Sequence, residues 1–448
     1  MTQVLISESA GIRFSSEPYS GSLNDGSYSL QHLLDIALGP VTRSNKYKLT
    51  RKRTLTRRAT VWLGQTCNLR CNFCHFIDRI IDPKHPEHRF MSLEKVKAIC
   101  NTLVEEYKNN AVDLQGGEPT LFQGIYDLVS YCREIGLHPT LITNAQKLAD
   151  RDVVIKYKQA GIRDFLISIQ GLGEVYDQVV GRNGAHVRQM LALRNLQEVG
   201  IPFRFNVVMS KLVVPQLPDI ARLAIATHAN AVNYLVFNPF GDLYGKRNVS
   251  NVPHYSEIRE PLRTALDLLI SNDIEANVRY LPFCMLDSKH FPSNYNFQQL
   301  SYDHHENDFN SWRWTGRENQ RTFDKPLGKC PNLGELPRHD ILRRLIHKSR
   351  SVKSRLKGDT RDQDGLVHNL YREDGKWRAA CDNKYAKTGT CNSCDLRNIC
   401  DGFHGDYVKF FGTGEARAIR LGKMIDDPLE FIKEQLKIVQ KEDESWAL

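Results

Sequence analysis

The sequence predicts an α/β fold built on a parallel β-sheet, either open and doubly wound or curled wholly or partly into a barrel. Three observations carry the prediction. Six β-rich apolar runs recur between residues 59 and 238, and helical apolar periodicity fills the intervals between them. The residues directly after each run are polar or turn-forming, as expected where the C-terminal ends of parallel strands converge on one face.

The runs are 59–64 (ATVWLG), 111–115 (AVDLQ), 138–143 (HPTLIT), 164–169 (DFLISI), 202–209 (PFRFNVVM) and 232–238 (VNYLVFN). Between the first two, Leu93, Val96, Ile99, Cys100, Leu103 and Val104 recur at three- and four-residue spacing, and Ser92 stands where a helix N-cap is wanted. The strand ends carry Gln65 and Thr66, the turn Gly116–Pro119, Thr143 and Asn144, Ser168 and Gln170, Ser210, and Asn238 with Pro239. Such a floor suits a polar ligand. Further on, the pattern predicts a helix near 256–271, a strand near 275–281, an aromatic and His-rich loop from Tyr295 to Trp314, and an amphipathic helix near 428–442. The expected organisation is an irregular basic extension over 1–58, a barrel over 59–281, a Cys-rich domain with a basic insertion over 282–427, and a C-terminal helix over 428–448.

With 448 residues, 41% hydrophobic and 25% charged, the chain has ample material for a buried core, which excludes a disordered chain, a collagen or a coiled-coil rod. No run of 18 apolar residues exists, and the N-terminus lacks a basic start followed by an apolar stretch, so a cytoplasmic protein without a membrane partner is expected. The net charge of +9 is concentrated in two basic stretches, 43–58 and 338–357. These invite a nucleic-acid reading through phosphate contacts, but a solvated face or a basic rim around a site is the simpler account. Eleven cysteines in a reducing compartment point to metal or redox chemistry where they cluster. Cys100 and Cys132 sit in helical patterns and read as small core residues; Cys284 and Cys330 have no assigned place.

The first cluster, Cys67-x3-Cys71-x2-Cys74, follows the first strand directly. Three thiolates can hold three irons of a cubane and leave the fourth iron open to a ligand. A zinc ion would need a fourth donor: His75 is too close in sequence to reach round easily, whereas His85 and His88 are in range. Gly116-Gly117-Glu118-Pro119 follows the second strand. Alone it reads as a tight turn; its glycines also allow close backbone approach to a ligand, and its carboxylate suits an ammonium group.

With Cys-x3-Cys-x-Phe-Cys after strand one and GGEP after strand two, residues 59–240 resemble the radical S-adenosylmethionine (SAM) superfamily. The resemblance implies a partial (β/α)6 TIM-like barrel. It also implies a [4Fe–4S] cluster on Cys67, Cys71 and Cys74, with SAM chelating the open iron and being cleaved reductively to a 5′-deoxyadenosyl radical that abstracts a substrate hydrogen. By position, Phe73 is the aromatic residue before the third cysteine. Gly116, Gly117 and Glu118 face the methionyl amine, Ser168 and Asn206 are polar positions used toward SAM, and Arg182 is a partner for its carboxylate. No catalytic residue beyond the cluster is assigned.

The second cluster is Cys381, Cys391, Cys394 and Cys400. Spacing alone slightly favours zinc. Beside a radical SAM core, the stretch resembles the SPASM or twitch extensions that carry auxiliary [4Fe–4S] clusters. The full SPASM pattern has a cysteine where this chain has His404, so one auxiliary cluster on those four cysteines is expected, with Cys330 and His404 as alternative ligands.

The expected reaction is oxidation or rearrangement of a small polar metabolite, sugar- or nucleoside-like and anionic, driven by an electron donor such as flavodoxin or ferredoxin. SPASM-type relatives also modify ribosomally made peptides; no separate leader-binding domain is recognised, which tilts the expectation toward the small molecule. The aromatic residues Tyr302, Trp312 and Trp314 could wall such a site or simply pack. Two readings from other classes remain: a zinc-stabilised RNA-binding protein, which leaves the placement of Cys67–Cys74 and GGEP unexplained, and a pure electron carrier.

Overall fold

The computed structural model describes residues 29–38, 48–50, 58–105, 109–239, 246–300, 307–309, 384–432, 435 and 437–439. In chain order the elements are α1 (Leu30–Ala37), β1 (Lys48–Thr50), β2 (Arg58–Trp62), α2 (Ile77–Ile81), α3 (Leu93–Glu105), β3 (Ala111–Gln115), α4 (Ile125–Glu134) and β4 (His138–Thr143). There follow α5 (Arg151–Ala160), β5 (Asp164–Ser168), α6 (Glu174–Val180), α7 (Ala185–Val199), β6 (Phe203–Met209), α8 (Leu217–Ala226), β7 (Ala231–Val236), α9 (Tyr255–Ser271) and β8 (Glu275–Arg279). The remainder comprises β9 (Asn294–Tyr295), α10 (Phe297–Leu300), β10 (Asn307–Phe309), α11 (Gly405–Phe411) and β11 (Lys437–Val439).

The main sheet is parallel throughout, in the order β10-β2-β3-β4-β5-β6-β7-β8-β9. From β2 to β8 spatial and chain order coincide, and a helix crosses over between every successive pair, which is the α/β arrangement of an open, partial barrel. β8 is the strand expected near 275–281, and β9 and β10, which were not expected, extend the two edges of the sheet. Period-two alternation sorts the side chains. In β6, Phe203, Phe205, Val207 and Met209 are buried in the apolar core, whereas Arg204, Asn206 and Val208 are half-buried on the other face.

Near the N-terminal ends of the strands the inner residues are charged. Arg58 pairs with Asp113 at 2.9 Å, Arg204 with Asp164 at 2.8 Å, and Thr140 donates to Asp164. Burial pushes the Asp164 carboxyl up, but the guanidiniums of Arg204, Arg163 and Arg58 outweigh it and hold the group well below the usual carboxylate range. Paired charge at this end, away from the loops at the strands' C-termini, serves stability.

Two expectations need correction. Among its described residues, the segment 428–442 does not form the amphipathic helix expected: residues 428–432 are turns and a short 3-10 turn, and Lys437–Val439 is a strand, antiparallel to β1 in the register Leu49↔Ile438. Backbone pairing with a distant strand overrides the helical spacing there, and the β-branched pair Ile438–Val439 favours it. Nor is 1–58 wholly irregular: Ser29 caps α1 by accepting from the His32 N–H at 3.2 Å, Leu33, Leu34, Ile36 and Ala37 are buried, and Lys48–Thr50 and Arg58 lie in strands. Apolar residues of the C-terminal part, among them Leu396, Ile399, Phe403 and Tyr407, join the same continuous core as the barrel. No helix among the described residues is long and apolar enough to cross a membrane. The basic stretch 338–357, Tyr302, Trp312 and Trp314 lie outside the described residues.

Candidate functional site

Cys67, Cys71 and Cys74 are half-buried on the loop that leaves the C-terminal end of β2. Three neighbours hold that loop. Beneath it, the Gln65 N–H donates to Glu87 O at 2.8 Å and Thr66 Oγ1 to His88 O at 2.7 Å. On one side, the last carbonyls of α6, which lack intrahelical donors, accept from the loop: Arg70 N–H to Val180 O at 3.0 Å and Asn72 N–H to Val179 O at 2.9 Å. Leu69, Tyr176, Val180 and Ala185 form a small buried cluster there, with Cys67 and Cys71 against it.

On the other side lies the Gly116–Glu118 turn. Its Gly117 N–H donates to Gly64 O at 2.8 Å and its Glu118 N–H to Thr66 O at 2.9 Å. A Cβ on Gly117 would stand 2.3 Å from Thr66 O and 2.5 Å from Gln65 O; one on Gly116 (φ 153°) would stand 2.2 Å from Gly64 O. The glycines thus bring this turn against the cysteine loop's own backbone. Glu118 is fully buried. Its Oε1 accepts from Thr120 N–H (3.1 Å), Thr120 Oγ1 (2.6 Å) and Thr143 Oγ1 (2.7 Å), and its Oε2 from Asn144 N–H (2.8 Å). Burial raises its pKa while these hydrogen bonds act the other way. Asn144 Nδ2 donates to Asn68 Oδ1 at 2.8 Å, so a chain of polar contacts ties Glu118 to the cysteine loop.

Ser168 ends β5 and Asn206 lies opposite it in β6, both half-buried, so the two share the inner face of the sheet. Gln189, fully buried on α7, holds the neighbouring strand ends by donating to Asn144 O, Ser168 O and Tyr176 Oη at 3.1, 2.9 and 3.0 Å. Arg182 is exposed in the turn after α6, its N–H on Asp177 O at 3.0 Å.

Electrostatically the three thiols form one group. Burial, then the Glu118 carboxylate, pushes Cys67 up to about 12; burial, then Cys74 and Cys67, raises Cys71; burial raises Cys74, opposed in part by a backbone N–H and by Arg247 and Lys246. Without a metal they are protonated at neutral pH, and a cation is what would draw the protons off. No group of three or more His, Cys, Asp or Glu among the described residues is disposed to hold a single metal ion. His85 and His88 are engaged instead: His85 Nδ1 accepts from Glu87 N–H at 3.1 Å, and His88 Nδ1 lies 3.0 Å from Arg79 O. Three thiols on one loop could instead each take a different iron of a cubane.

In the second group, Cys391, Cys394, Cys400 and Cys284 line one small cavity. Cys381 and Cys330 lie outside the described residues. His404 acts as the N-cap of α11, its Nδ1 accepting from Asp406 N–H at 3.2 Å, and burial lowers its pKa to about 4.

Two residues escaped the sequence reading. Arg247, in the loop after β7, donates to Asn238 O at 2.7 Å and Phe73 O at 2.6 Å and lies over the Phe237 ring at 4.4 Å, joining the last strand ends to the cysteine loop. Nothing local marks it, since it acts across 174 residues. Cys284 did carry a signal, a cysteine soon after a predicted strand, but only the fold reveals its neighbours.

Residues 63–224 match the family model of the radical SAM superfamily. The chain is 30% identical over 161 residues to the Fe-coproporphyrin III synthase of Methanosarcina barkeri, covering 36% of this chain and 39% of that protein. It is 35% identical over 120 residues to the PqqA peptide cyclase of Rhodopseudomonas palustris, covering 27% of this chain and 32% of that protein. The chain therefore spans well under half the length of these curated relatives. Among solved structures, Streptococcus suis SuiB bound to S-adenosylmethionine aligns with a TM-score of 0.42 and 19% identity, over 50% of each chain.

Proposed function

We propose, from the radical SAM domain that residues 63–224 form, that this protein is an enzyme that binds a [4Fe–4S] cluster on Cys67, Cys71 and Cys74 and cleaves SAM to start a radical reaction at a substrate C–H bond. The observation that carries the reading is the joining of the two motif loops: three mutually interacting thiols on one, Gly116–Glu118 pressed against it, and both at strand ends of one parallel sheet. Bound there, the cofactors supply a primary carbon radical able to remove an unactivated hydrogen.

The chain's own residues position and shield. Arg70 Nη1 donates to the Cys67 and Leu69 carbonyls, both at 2.9 Å, and Arg247 to the Phe73 carbonyl, so two guanidiniums fix the loop's backbone. Glu118 and Asn144 set the height of the turn that receives the methionyl end of SAM. Ser168 and Asn206 offer polar groups from the inner face, and Arg182 is assigned to the SAM carboxylate. A low-potential donor such as flavodoxin or ferredoxin would supply the electron.

For the substrate we favour a small, polar, anionic molecule held among the polar strand ends. The identity to a PqqA peptide cyclase over 120 residues supports a peptide as the second reading.

The deciding experiment incubates anaerobically reconstituted protein with SAM and dithionite and follows 5′-deoxyadenosine. Wild type should form it and Cys71→Ala should not, with iron retained elsewhere in the chain. SAM cleavage undiminished in Cys71→Ala would overturn the assignment. Zinc without iron in the purified protein would favour the RNA-binding reading.

A further inference from the structure

The Cys-rich C-terminal stretch does not complete its four-sulfur set from its own described residues. It closes on the barrel. Cys391, Cys394 and Cys400 line a cavity whose remaining cysteine is Cys284, from the 3-10 turn Phe283–Met285 that follows β8. The sulfurs sense one another: Cys391 and Cys394 act on Cys284 as neighbouring charges, and Cys284 acts on Cys400. More than a hundred residues separate Cys284 from the other three.

Burial raises the Cys284 thiol and pushes Cys400 up to about 12, and neighbouring N–H groups oppose it in part. The Ile419 N–H donates to Cys394 Sγ at 3.4 Å, the Arg417 N–H faces Cys284, and the N–H groups of Phe283 and Gly402 face Cys400. Hydrogen bonds to sulfur stabilise its anionic form and are among the levers that tune iron–sulfur clusters. Lys387, Arg397 and Arg417 rim the same cavity and oppose the negative charge that four thiolates would bring to a cluster. The backbone is shaped to close there. Gly402 (φ 97°) brings residues 402–403 against Ala386, where a Cβ would stand 2.4 Å from Ala386 O, and the bridge Ala386↔Phe403 is bonded in both directions at 2.8 and 2.9 Å.

We propose that Cys284, rather than Cys381, supplies the fourth thiolate of an auxiliary [4Fe–4S] cluster with Cys391, Cys394 and Cys400. Each thiol gives up its proton on ligation. Four protein ligands leave no iron open, so this centre does not chelate substrate; it staples the C-terminal segment to the end of β8. The inference rests on the iron–sulfur enzyme proposed above and extends it to a second centre.

The test removes the first cluster. In a Cys67→Ala/Cys71→Ala/Cys74→Ala background, reconstituted protein should bind about four irons per chain with a cubane Mössbauer spectrum. Adding Cys284→Ala should reduce this to a small residue of iron, whereas adding Cys381→Ala should leave it intact. Cys284→Ser, which keeps an oxygen donor, should retain iron with an altered EPR signal; matching far-UV circular dichroism of the metal-free variants excludes misfolding as the cause of iron loss. Full iron in the Cys284→Ala variant, loss in Cys381→Ala, or zinc in place of iron would each overturn the ligand set. SAM cleavage by the wild type is scored separately, so failure of the auxiliary site and failure of the radical SAM reading give different results.

Discussion

At the scale of single residues, Gly117 shows why the motif tolerates so little. Its missing Cβ occupies the space held by the Thr66 and Gln65 carbonyls, which are backbone and cannot rotate away. Gly117→Ala must displace the loop that carries all three thiols. We expect it to cost about 1–3 kcal/mol of stability, and to cut iron at the first site to a minor fraction while the Cys391–Cys400 site still loads. Unchanged iron occupancy in urea-stable protein would remove the close approach from the argument. The cysteines and the GGEP turn were legible from spacing, because each needs a particular residue type at a particular strand end. Arg247 was not, since a guanidinium bonding carbonyls from two distant loops leaves no local pattern.

At the scale of elements, β-rich apolar runs located β2 through β8 nearly to the residue, and the helices between them followed from their spacing. What the same strands carry on their inner face is a different matter. Arg58, Asp113, Thr140, Asp164 and Arg204 come from five separate strands and meet only because the parallel registers align them. Removing one partner leaves a buried charge uncompensated, so Asp164→Asn should destabilise the barrel by about 3–5 kcal/mol. Urea denaturation of the metal-free protein measures this, and a loss below about 1 kcal/mol would contradict the view that the cluster closes the barrel's floor. Helical spacing in 428–442 misled, because a three-residue strand is held by its partner β1 rather than by any periodicity of its own.

For the molecule as a whole, barrel and C-terminal segment share one core and several polar clasps. Tyr255 stacks on Tyr407 with ring centroids 3.7 Å apart, and Asp401 accepts from the Phe297 N–H at 2.7 Å and from Gln298 Nε2 at 3.0 Å. Global stability also carries a pH signature from His186. Its ring is fully buried, its Nδ1 accepts from the Gly173 N–H at 3.0 Å, and burial lowers its pKa to about 3 from 6.5. The unfolded chain takes up this proton below pH 6.5, whereas the folded chain does so only near pH 3. The stabilisation is therefore complete above pH 6.5 and declines between pH 6.5 and 3, at up to about 1.4 kcal/mol per pH unit. Denaturant titrations at pH 7, 5.5 and 4.5 should give a steeper fall for wild type than for His186→Asn; equal slopes would exclude His186 as the source.

The sequence alone determined the α/β class, the succession of strands and helices along the chain and the first three thiols, because hydrophobic period and motif spacing are local properties written along the chain. Only the tertiary structure decided that Glu118 braces Asn144 and, through it, the cysteine loop, that Arg247 spans to Phe73, and that Cys284 meets Cys391, Cys394 and Cys400. Those partners lie between 26 and 174 residues apart where hydrogen bonds join them. Their meeting depends on how the strands stack and where each loop is released, which no single segment encodes.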